Sequence, residues 1–107
     1  VRIEFYRDGK GQSQVEKFLT SLSPAEFSKV GKVLDLLEQA GELVKEPFVK
    51  SIQGKIWEIR AKAIRILYFR REDSFVLLNA FRKTTPQTPE NEKKLAVSRM
   101  NDYLKRS

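Results

Sequence analysis

The spacing of apolar residues divides the chain into two regimes. Up to Gly41 it is mostly helical. Val15, Phe18, Leu19 and Leu22 share one face of a first helix, and Phe27, Val30, Val33, Leu34 and Leu37 form the predicted buried stripe of a second. Ahead of them Ile3-Glu4-Phe5-Tyr6 reads as a short strand, closed by the turn signal Asp8-Gly9 and by Gly11. Ser23-Pro24-Ala25-Glu26 opens the second helix: serine is a good N-cap, proline suits the first helical position, and Glu26 completes a capping box. Gly41 is the expected stop.

Glu42 to Gly54 carries no strong period and reads as a connector. Beyond Gly54 the pattern turns to β. Lys55–Ala61, Ile64–Arg71 and Ser74–Arg82 are rich in branched and aromatic residues, and the short breaks at Lys62-Ala63 and Glu72-Asp73 predict consecutive hairpins. The last two runs are apolar on both faces, as in central strands covered on each side. Thr84–Pro89, with two prolines, is a loop, and Glu90–Lys105 is a last helix with Ala96, Met100, Tyr103 and Leu104 inward. The expected architecture is a single α+β domain over 1–107, in the order β-α-α-β-β-β-α, with two N-terminal helices packed on an antiparallel sheet. The pattern leaves open whether the last helix packs on that sheet.

Composition narrows the chemistry. The chain of 107 residues has neither cysteine nor histidine. Disulfides, the usual zinc sites and imidazole acid–base catalysis are therefore excluded, and no metal or cofactor is expected. No apolar run approaches a membrane span and no secretion signal is recognisable, so a cytoplasmic location is expected. Residues 1–51 hold 8 basic and 8 acidic side chains, and residues 52–107 hold 13 and 6, so the net charge of +7 lies in the second half. Clustered cations of this kind suit a polyanion.

Three pieces then point to a family: Gly54-Lys55-Ile56-Trp57-Glu58-Ile59-Arg60, Arg65-Ile66-Leu67-Tyr68-Phe69, and Leu77-Leu78-Asn79-Ala80-Phe81-Arg82-Lys83-Thr84. They lead into Thr88-Pro89-Glu90 and a helix ending Arg99-Met100-Asn101-Asp102-Tyr103. In order and spacing they resemble the phage-derived, HigB-like branch of the RelE/ParE toxin superfamily, whose members often carry His-Gly where this chain has Asn79-Ala80. The resemblance implies the RelE-like fold and the toxin of a type II toxin–antitoxin system. It further implies a metal-independent endoribonuclease that cuts mRNA on the ribosome and is restrained by a helix-turn-helix, HigA-like antitoxin. Two alternatives stay open: a ParE-like gyrase poison on the same fold, and a catalytically inactive RNA-binding relative.

Within that reading Arg60, Arg65, Arg82 and Lys83 are the candidate catalytic residues. Arg60 and Arg65 match family positions and interrupt apolar strands, where a guanidinium can clasp a phosphate with two parallel hydrogen bonds. The competing role for Arg60 is an ion pair with Glu58 or a helix carboxylate, and for Arg65 a sheet-edge cap. Arg82 and Lys83, as strand neighbours, point to opposite faces, so one of them is expected in the site. Lys55, Lys62, Phe69 and Asn79 are candidate RNA-binding residues, Phe69 as a stacking surface on the Arg65 side of its strand. Trp57, Tyr68 and Tyr103 suit the core better than the site.

Overall fold

The computed structural model describes residues 1–107. Five strands form one sheet in the order β1-β5-β4-β3-β2, with β1 at Arg2–Phe5, β2 at Val49–Gln53, β3 at Ile56–Ala61, β4 at Ile64–Arg71 and β5 at Ser74–Arg82. The last four run antiparallel to their neighbours, whereas β1 pairs in parallel with β5. The sheet is thus mixed at one edge, because the two N-terminal helices return the chain to the sheet's far side. β2 lies inside the expected connector. Its sequence VKSIQ is largely exposed, so it lacks the apolar alternation that reveals a strand.

Helix α1 (Gln14–Thr20) is capped by Ser13, whose hydroxyl accepts from the Glu16 amide, and α2 (Pro24–Ala40) opens with the full Ser23–Glu26 capping box. Both pack on one face of the sheet, around Val15, Val30, Val33, Leu37, Ile59, Ile66, Tyr68 and Leu77. The inward stripe of α2 runs Glu26-Val30-Val33-Leu37, which turns Phe27 out to 54% exposure and corrects its expected burial. Gly41 ends α2 at φ 52°, as glycine permits.

Helix α3 (Glu90–Arg106) covers the opposite face, over Ile56, Leu67, Phe69, Val76, Leu78 and Phe81. This explains why β4 and β5 are apolar on both sides. A bulge in β5 assists the docking. Leu67 pairs with Asn79 and Tyr68 with Leu77, leaving Leu78 without a cross-strand partner, and Arg99 donates to its carbonyl at 3.0 Å. Further along β5, past the end of β1, the Gln14 side chain accepts from the Ala80 amide and donates to its carbonyl, both at 2.9 Å. A side-chain amide thereby stands in for a missing strand.

Candidate functional site

Hairpin geometry brings Arg60 and Arg65 together. They are direct cross-strand partners on β3 and β4, one residue from either side of the Ala61–Ile64 turn. Both face the α3 side, since Glu58 and Leu67 alternate with them there. Like charges placed opposite each other repel, and Glu58 relieves that repulsion. Its carboxylate is fully buried, accepts from Arg60 Nε at 3.0 Å and from the Thr88 hydroxyl at 2.7 Å, and lies 3.8 Å from Arg65 Nε. Arg65 also donates through Nη1 to the carbonyls of Lys62 (2.6 Å) and Ile64 (3.0 Å), which fixes its guanidinium against the turn. Burial lowers the Arg65 pKa, opposed by Glu58 and reinforced by Arg60. One buried negative charge therefore serves two guanidiniums.

The pair opens onto a shallow concavity of about 350 Å³ lined by Lys29, Pro47, Phe48, Arg60, Lys62 and Arg65. Its lining holds four cations and no carboxylate. The Phe48 carbonyl accepts from the Arg60 amide at 2.8 Å, tying this aromatic wall to β3. Thr88 bonds to Glu58 and so closes the proline loop over the same end of the sheet.

Of the residues expected in a site, Arg60, Arg65 and Lys62 are gathered here. Arg60 does pair with Glu58, and remains part of the cluster while doing so. Lys83 is adjacent: its amide bonds to the Ala63 carbonyl at 2.8 Å, and strand alternation continued from Phe81 puts its side chain on the α3 side. Arg82 is not in the cluster. It faces α2, where both terminal nitrogens bond the Glu26 carboxylate. Arg82 and the capping-box serine hold the Glu26 pKa at about 2.

The structure corrects three other expectations. Phe69 shares the Arg65 side of β4 but is only 2% exposed, beneath α3 and edge-on to Tyr103 at 5.7 Å, so no base can stack on it. Asn79 is fully buried, and its amide donates to the Glu92 side chain (2.9 Å) and carbonyl (3.2 Å), anchoring the start of α3 instead of meeting RNA. Lys55 is exposed in the turn before β3, roughly 16 Å along the strand from Arg60 at ~3.3 Å per residue, outside the cluster. Among the remaining aromatics, Tyr68 is core, Trp57 packs on the α1–α2 side under Arg70 at 4.0 Å, and Tyr103 donates to Glu4 at 2.9 Å near β1.

The family model for phage-derived Gp49-like proteins matches residues 17–101. This chain belongs to that family. The Gp49-like chain also shares its fold with two solved structures. One is the RelB–RelE antitoxin–toxin complex from Methanococcus jannaschii, matched at a TM-score of 0.58 and 13% identity over 77% of this chain and 89% of that one. The other is the isolated RelE toxin of E. coli, at 0.57 and 14% over 92% and 97%. No curated protein matches it in sequence.

Sequence reasoning missed two contributors to this Gp49-like site. Lys29 lies in the half of the chain whose charges cancel, and Thr88 reads as part of the family-matching Thr88-Pro89-Glu90 stretch without a role of its own. No local signal marks Lys29. For Thr88, a hydroxyl beside the proline loop following a basic strand end was the available hint.

Proposed function

We propose that this Gp49-like protein is the toxin of a toxin–antitoxin pair and acts as a metal-independent endoribonuclease on messenger RNA. The observation that carries the reading is the Arg60–Arg65 pair, held over one buried carboxylate and open to a cationic concavity. RNA brings its own nucleophile. The 2′-hydroxyl gives up its proton to solvent as its oxygen attacks the adjacent phosphorus, the bond to the 5′ oxygen breaks, and that oxygen takes up a proton from solvent, so a 2′,3′-cyclic phosphate and a 5′ hydroxyl result. The two guanidiniums stabilise charge gathering on the non-bridging oxygens, while Lys83 adds positive potential for the departing oxygen. Translation is blocked as messages are cut on the ribosome. Its partner is a cognate helix-turn-helix, HigA-like antitoxin; the fold it shares with a chain of an antitoxin–toxin complex supports an antitoxin partner, and the helix-turn-helix type follows from the family resemblance.

Arg65→Lys tests the reading. It keeps the charge but loses the planar fork. Cleavage should fall on the order of 10²–10³-fold, as for loss of one preorganised donor, with a thermal midpoint close to wild type. Cleavage should also persist once transition metals are removed and magnesium alone is restored. Full cleavage by the lysine variant, or dependence on zinc or manganese, overturns the mechanism. Altered DNA supercoiling with intact transcripts would point to a gyrase poison instead.

A further inference from the structure

We propose that Lys29, Lys62 and Phe48 form a nucleotide subsite beside the Arg60–Arg65 pair, taking the phosphate next to the reacting one and the base or ribose that follows it. The inference rests on the ribonuclease reading and adds the path of the RNA strand. It puts the strand across the β3–β4 turn toward α2, on the side where sequence charge is balanced.

Three observations converge on the subsite. Lys29 reaches the concavity from α2, anchored there by buried Val30 and Val33. Neither Lys29 nor Lys62 makes a salt bridge, so both ammonium groups are available to a ligand. The one acid a helical turn before Lys29 is Glu26, and Arg82 takes it up with both terminal nitrogens. Arg82 thus serves the concavity from the opposite side, by cancelling the acid that would otherwise pair with Lys29. Finally, Phe48 is half-buried against the helix-side core, while it also lines the concavity at a position fixed by its bond to Arg60. A ring held at its base and lining a concavity that also holds four cations is the arrangement that receives a single-stranded nucleotide: charge for the phosphate and an apolar surface for the base.

The probes are a short 2′-O-methyl oligouridylate, which cannot be cleaved, and inorganic tripolyphosphate, which has no base. Lys29→Gln should weaken binding of both and reduce the slope of log K against log salt for the oligouridylate by about 0.7. Phe48→Leu should weaken the oligouridylate by about fivefold or more and leave tripolyphosphate unchanged, with the midpoint lowered by no more than about 10 °C and binding read below it. Lys10→Gln, in the loop after β1 at the far edge of the sheet, should alter neither. If Lys29→Gln binds like Lys10→Gln while Arg65→Lys has lost cleavage, the subsite is wrong and the ribonuclease reading stands. Equal loss of both probes in Phe48→Leu overturns the stacking role. A wild-type protein that neither binds the oligouridylate nor cleaves RNA overturns the subsite together with the reading beneath it.

Discussion

Replacing Glu58 by glutamine should separate binding from catalysis. The carboxylate is fully buried and serves Arg60, Arg65 and Thr88 at once. Removing one partner of a buried ion pair costs about 3–5 kcal/mol, because the other charge is left uncompensated. Here the arginine side chains retain 27% and 13% of their exposure, so both guanidiniums regain some water. Glutamine also keeps one oxygen able to accept from Thr88. A loss of about 2–3 kcal/mol is therefore the better expectation, and in a domain of this size that lowers the midpoint by roughly 10–20 °C. The concavity gains one net positive charge, so oligouridylate affinity should hold or rise. Cleavage should nevertheless fall, because Arg60 and Arg65 lose the group that orients them. Thermal denaturation, single-turnover cleavage and binding to the uncleavable RNA, all measured below the variant's midpoint, give the three readouts. A wild-type midpoint would refute the energetic argument. A wild-type cleavage rate in the folded variant would refute the positioning role, and weaker binding would mean that the arginines need Glu58 to hold RNA as well as to cleave it, so that binding and catalysis are not separable here.

Glu26 should make stability depend on acid pH. Its pKa is about 2 in the folded protein against an ordinary 4.5, so the stabilisation is fully present above about 4.5 and is lost as the pH falls toward 2. The midpoints of wild type and Glu26→Gln should converge over that window, and a gap independent of pH would show that the Arg82 pair contributes nothing through ionisation. Phe69→Ala should destabilise by about 3–5 kcal/mol, as for loss of a buried phenyl ring. RNA affinity lost at an unchanged midpoint would instead restore Phe69 as a stacking surface.

What depends on near neighbours was legible in the amino-acid sequence. The capping box at Ser23–Glu26, the stop at Gly41 and the three β runs after Gly54 all follow from interactions within a few residues. The break at Lys62-Ala63 predicted a hairpin there, and a two-residue turn of that kind sets the register that pairs Arg60 with Arg65 in the structure. Strand alternation also put Phe69 on the Arg65 side of β4, where the structure has it.

What covers each face of the sheet depends on packing between distant segments. Phe69 lies under α3, whereas Arg65, four residues earlier on the same strand, lines an open concavity. Alternation gives a direction, but the extent of a docked helix is set by packing across the whole sheet. The parallel pairing of β1 with β5 likewise joins segments some 70 residues apart, and the exposed strand β2 is stabilised by its neighbour β3 more than by its own pattern. Lys29 shows the same limit for electrostatics. Charges that cancel along the chain do not cancel in space once Arg82 has drawn Glu26 away, and a cation from the neutral half comes to stand beside the arginine pair.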